Sequence, residues 1–213
     1  MIKGLKICGV SDPGTLSYIL NHNHKPTMIG FITNYEKSKR FVEYEKLKNL
    51  VNLEKKQVNF VSVLVNPNDE ILEKIKDLNF DYYQLYDVNP IRTKEIKSKF
   101  KKKIITALTI SSKDDVVKYK DYSEISDIIL FDSKGYEKSE SFDHSLLDNV
   151  PSKLSKMLAG NIQIDDIPNL KIKEFIVDLS GALEDQNGKK DINKIDKLLN
   201  LFGKTWDLKK KFQ

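Results

Sequence analysis

Eight short runs rich in Ile, Leu, Val, Phe and Tyr, each followed by a longer segment with helical spacing, set the strongest limit on how this chain can fold. The runs cover 5–10, 28–33, 60–65, 82–86, 104–108, 128–131, 156–159 and 175–179. Helices are expected to open near Asp12, Tyr44, Asn68, Asn89, Lys113, Asp143, Asp165 and Asp191. Several of these are Asp or Asn, whose side chains satisfy the free N–H groups of a first helical turn. Nearly continuous apolar strands are buried on both faces, which implies a parallel sheet covered by helices. Eight strand and helix pairs close naturally into a (β/α)8 TIM barrel of the α/β class, here a single domain over 1–213. A doubly wound open sheet would usually place a glycine-rich turn after its first strand, whereas Gly9 stands alone before Val10. A short basic tail is expected from about 205, with Trp206 docked on the barrel exterior.

The hydrophobic fraction of 39% is that of an ordinary globular protein and rules out disorder. Cys8 is the single cysteine, so no internal disulfide forms, and three histidines, two of them on a loop at His22 and His24, are a poor basis for a metal cluster. The N-terminus runs directly into a strand and no apolar stretch approaches the roughly 20 residues of a membrane span, so a cytoplasmic protein is expected. All but two of the 36 basic residues are lysine, spread along the whole chain, which describes a solvated surface better than a nucleic-acid face. Against that background Arg40 stands out, because a guanidinium offers a planar, two-pronged geometry that lysine lacks.

In a barrel the chemistry gathers at the carboxyl ends of the strands. That places Cys8, Asp132, Asp178 and Ser180 at the mouth. A thiol and a carboxyl facing each other there form a base and acid pair suited to moving protons next to a carbonyl or imine. Cys8 is otherwise a small buried hydrophobe, and Asp132 otherwise a loop cap. Lys6 shares the first strand with Cys8 and is expected at the surface at least as readily as beside the thiol. Gly160 and Gly181 follow the seventh and eighth strands, where backbone donors of such barrels hold phosphate. The polar stretch from Ser133 to Ser141 has the makings of a lid.

These residues resemble the phosphoribosylanthranilate isomerase family of tryptophan biosynthesis, and the likeness spans nearly the whole chain. Lys6-Ile7-Cys8-Gly9 resembles its opening motif, Gly30-Phe31-Ile32 and Ser38-Lys39-Arg40 its second strand and loop, and Val63-Leu64-Val65-Asn66 and Gln84-Leu85 its third and fourth strands. Phe131-Asp132-Ser133, Phe142-Asp143, Val177-Asp178-Leu179-Ser180, Glu184 and Gly188-Lys189-Lys190-Asp191 follow in the family's order. The resemblance implies an Amadori rearrangement of N-(5-phosphoribosyl)anthranilate to 1-(2-carboxyphenylamino)-1-deoxyribulose 5-phosphate, without metal or organic cofactor. It implies Cys8 as general base, Asp132 as general acid, Arg40 on the anthranilate carboxylate, Asp178 on the anthranilate amine, and backbone donors near Gly160, Asn161, Ser180 and Gly181 on the phosphate. The expected partner is this small phosphorylated substrate, with no nucleic acid or membrane, in a monomer or homodimer. The chain departs from the family at Tyr86-Asp87, where His then Gly is general, at Tyr136 to Ser141, at His144, at Asn161 and at Gly181-Ala182. These changes keep an alternative open, a phosphosugar-binding barrel of the same family with weakened or no turnover. A sugar-phosphate isomerase of histidine synthesis is a further alternative, which would want a carboxylate where Cys8 stands.

Overall fold

Alternation along the strands sorts the apolar residues into two separate layers. The structure, a computed structural model, describes residues 2–135, 141–172 and 174–210, the last seven as backbone alone. Its strands are β1 (Gly4–Cys8), β2 (Met28–Ile32), β3 (Asn59–Val65), β4 (Tyr82–Tyr86), β5 (Lys103–Ile110), β6 (Ile128–Ser133), β7 (Lys156–Leu158) and β8 (Phe175–Leu179). They form a closed parallel barrel in chain order, with β8 pairing back onto β1. Inward positions such as Met28, Val61, Val63, Ile105, Leu130 and Met157 pack into one cluster that fills the barrel. Outward positions such as Ile7, Ile29, Phe31, Phe60, Phe131 and Val177 belong to a second cluster packed beneath the helices. Each strand therefore reads as one apolar run because both of its faces are buried.

The helices are α1 (Pro13–Asn21), α2 (Tyr44–Val51), α3 (Asp69–Ile75), α4 (Pro90–Phe100), α5 (Lys113–Val117), α6 (Tyr119–Tyr122) and α7 (Ile192–Lys210). Asp12, Asn68 and Asn89 cap their helices as expected, each side chain accepting from a backbone N–H three residues on. Pro13 and Pro90 occupy first-turn positions, where their missing donor is not needed.

Three expectations need correction. The segment from Lys113 breaks into two short helices instead of one. Beyond β6 and β7, Asp143 and Asp165 introduce only the 3-10 turns His144–Leu147 and Ile164–Asn169. Pro151 shortly follows the first and Pro168 lies inside the second, and proline beyond the first turn removes a helix hydrogen bond and disfavours helical backbone in the residue before it. The basic segment from 205 is not a separate tail, since α7 runs through it to Lys210 with no proline to stop it. The ring of Trp206 and most of the polar loop, residues 136–140, fall outside the described parts.

Candidate active site

β1 and β8 lie side by side in a register that sets Lys6 directly across from Asp178. Lys6 and Cys8 are two apart on one strand and so share its inner face, which corrects the surface placement expected for Lys6. Its side chain is fully buried and its Nζ donates to Asp178 Oδ2 at 2.5 Å. Burial opposes the ammonium, yet the adjoining Asp178 carboxylate and Cys8 sulfur more than offset it and raise the lysine above its usual range. Burial pushes Asp178 upward as well, with Lys6 pulling the other way. Its second oxygen, Oδ1, is buried and has no hydrogen-bond partner among the described residues.

Gly30 of β2 makes the room for this group. A Cβ there would sit 2.9 Å from Cys8 Sγ and 3.2 Å from Lys6 Nζ. Thiol and ammonium thus lie against the same bare stretch of backbone. Burial raises the Cys8 thiol above its usual value, while Lys6 beside it and Lys190 farther off favour the thiolate.

Across the barrel Asp132, the last but one residue of β6, is paired with Thr109 of β5. Its Oδ1 accepts from the Ser133 backbone N–H at 2.8 Å and its Oδ2 from the Tyr86 hydroxyl at 2.7 Å. Burial lifts this carboxyl to about 6, a hydrogen bond from Tyr86 holding it down and nearby Asp178 pushing it up. An acid so poised can still hold a proton near neutral pH.

Arg40, in the loop after β2, crosses toward the end of β8. Its Nε and Nη2 donate to the two oxygens of Glu184 at 2.5 and 2.9 Å. Lys190 Nζ reaches the same carboxylate at 2.7 Å and the Ser180 carbonyl at 3.0 Å. Burial raises Glu184, but Arg40 and Lys190 outweigh it and keep the carboxylate below its ordinary range. Gly9, at φ +77, lets the arginine pass, since a Cβ would meet Arg40 Cδ at 2.5 Å.

Beyond β7, Gly160 takes φ +104, and a Cβ there would come within 2.9 Å of the Ser133 backbone nitrogen. Asn161 follows in the left-handed region at φ 51, a conformation asparagine tolerates better than most residues. Ser180 Oγ donates to the Cys8 carbonyl at 3.1 Å, tying the end of β8 to that of β1. Gly181 then opens a short 3-10 turn, Gly181–Leu183. These parts meet around one cavity of about 900 Å³ at the carboxyl ends of the strands. Cys8, Arg40, Asp132, Gly160, Asn161, Asp178, Ser180 and Gly181 all line it. Among the described residues no three His, Cys, Asp or Glu are grouped to hold a metal ion, and no helix is long and apolar enough to cross a membrane.

Residues 5–201 match the family described as N-(5'phosphoribosyl)anthranilate (PRA) isomerase. The chain belongs to that family. A similar protein from Rhizobium rhizogenes, named N-(5'-phosphoribosyl)anthranilate isomerase, is 30% identical with 92% of each chain covered. One of the same name from Staphylococcus haemolyticus is 33% identical over 90% of this chain and 94% of its own. Among solved structures, the phosphoribosyl anthranilate isomerase of Thermotoga maritima superposes with a TM-score of 0.80 at 24% identity, covering 93% of this chain and 97% of that one. The barrel is therefore that of the isomerase family.

Four residues that line this cavity or hold its lining side chains, Lys6, Tyr86, Glu184 and Lys190, were not singled out as site residues from sequence. Lys6 was legible from its spacing to Cys8. Tyr86 carried a signal only as a departure from the family pattern, and its contact with Asp132 depends on how β4 and β6, on either side of β5, turn these side chains inward. Glu184 and Lys190 come from the loops beyond β8, where no periodicity fixes side-chain direction.

Proposed function

We propose that this cavity isomerises N-(5-phosphoribosyl)anthranilate to 1-(2-carboxyphenylamino)-1-deoxyribulose 5-phosphate, with Cys8 as general base and Asp132 as general acid. Asp132 protonates the ribose ring oxygen, the furanose opens, and the nitrogen lone pair forms a Schiff base. The Cys8 thiolate then removes the C2′ proton, and the resulting enolamine tautomerises to the ketone. One proton is given and one taken, so the enzyme needs no cofactor.

Arg40, held flat by its two bonds to Glu184, binds the anthranilate carboxylate. Asp178 orients the anthranilate amine through Oδ1, the oxygen that Lys6 does not occupy. Backbone donors around Gly160, Asn161, Ser180 and Gly181 hold the phosphate at the ends of the seventh and eighth strands. Fixing both ends of the substrate places C2′ between thiol and carboxyl. We take the enzyme to be cytoplasmic, a monomer or homodimer, and to act on this small molecule alone.

The observation that carries this reading is that Cys8 and Asp132, far apart in sequence, line one cavity together with Arg40 and the glycine turn after β7. Growth of a tryptophan-requiring bacterial strain lacking the isomerase tests it. Rescue by the wild-type gene, lost with Cys8→Ser and with Asp132→Asn, is the expected result. A folded, expressed wild-type protein that fails to rescue contradicts it and favours a binding barrel without turnover.

A further inference from the structure

We propose that Tyr86 is a positioning residue that aims Asp132 and stabilises its carboxylate, with Gln84 setting the direction in which the phenol points its proton. This rests on the role of Asp132 proposed above. Gln84 and Tyr86 are two apart on β4 and share its inner face. Gln84 is fully buried, and its Nε2 donates to the Tyr86 oxygen at 3.2 Å. With a donor already on that oxygen, the single phenolic proton is directed at Asp132 Oδ2, 2.7 Å away. Each oxygen of Asp132 thus accepts one hydrogen bond, Oδ1 from the Ser133 N–H and Oδ2 from the Tyr86 hydroxyl. A hydrogen bond donated to the charged form favours that form. The phenol therefore stabilises the carboxylate left behind when the acid has delivered its proton.

Other charged or titratable groups face the same space: Lys6 and Cys8 from β1, Arg40 after β2, Asp87 after β4, Lys134 after β6 and Asp178 from β8. Of these, Asp178 and Lys6 act on Asp132 through space, the first raising it and the second lowering it. Among the described residues the Tyr86 hydroxyl is the one side-chain group hydrogen-bonded to its carboxylate. Tyr86→Phe removes that hydroxyl and keeps the ring.

The test is carbon-13 NMR titration of aspartate-labelled protein, with Asp132→Asn assigning the resonance. In Tyr86→Phe the Asp132 midpoint, about 6 in the parent, is expected to rise by about one pH unit, the effect of losing a hydrogen bond to a charged group. Gln84→Leu, which weakens the phenol as a donor but leaves it in place, is expected to give a smaller rise. An unchanged midpoint in both variants overturns the proposal. So does a lowered one, which would mean that the phenol accepts from the protonated acid. Full turnover in Asp132→Asn would instead remove Asp132 as the acid, an outcome separate from the titration.

Discussion

Replacing the proposed acid by its neutral counterpart is expected to stabilise the protein, and only where the acid would be ionised. Asp132 is held near 6 in the folded chain against an ordinary 3.8. The folded state thus binds this proton more tightly than the unfolded one, and stability is lost as pH rises between those two values. At 1.36 kcal/mol per unit, the raised value of Asp132 costs about 3 kcal/mol of stability at pH 8 and about 1 kcal/mol at pH 4.5, relative to low pH where both states are protonated. Asp132→Asn escapes that penalty. Its amide has one acceptor oxygen where the carboxylate has two, so either the Ser133 N–H or the Tyr86 hydroxyl loses its partner, a loss of about 1 kcal/mol. The variant should be more stable than the parent by about 2 kcal/mol at pH 8 and about equal to it at pH 4.5. Urea unfolding of both proteins at the two pH values measures this directly. A difference of the same size and sign at both would refute the assignment of a raised carboxyl at this position.

The ion pair below it behaves in the opposite sense. Lys6→Met strands a buried Asp178, whose side chain is only 5% exposed, and should destabilise by about 3–5 kcal/mol. Lys6→Met with Asp178→Leu should recover most of the loss, and additive losses in urea melts would contradict the pairing. The pH profile of kcat/KM follows from the two shifted groups. Turnover needs Cys8 ionised and Asp132 protonated, and burial has put the thiol above its ordinary value and the carboxyl at about 6. Below about 6 the acid is fully protonated while the thiolate fraction grows with pH, so the rate rises. Between the two values the loss of acid cancels the gain of thiolate, giving a plateau that falls only beyond the thiol value. A profile with a single narrow maximum near neutrality would contradict these assignments.

The barrel was legible because every strand had to be buried on both sides, and runs such as Phe60–Val65 leave no polar face for solvent. Helix starts at Asp12, Asn68 and Asn89 could be read because the capping side chain is local to its helix. The helices after β6 and β7 could not, since Pro151 and Pro168 act against the same apolar spacing that suggested them. Strand ends alone were enough to place Cys8, Asp132 and Asp178 at the barrel mouth, where they line the cavity. The Lys6 partnership follows from the register of β1 on β8, set where the barrel closes between residues 172 apart in the chain. Tyr86 and Glu184 reach Asp132 and Arg40 through similarly non-local contacts, 46 and 144 residues distant, which strand and helix periodicity does not register; only the family pattern marked them, Tyr86 as a departure and Glu184 as a match.

Steady-state turnover of purified protein, followed as the loss of phosphoribosylanthranilate fluorescence, tests the central pairing of thiol and carboxyl most directly. Wild-type protein should consume the substrate, whereas Cys8→Ser and Asp132→Asn should each lose about 10²- to 10⁴-fold in kcat while binding a reduced product analogue as tightly as the parent. Near-normal turnover in either variant, or none in the wild type, would contradict the account.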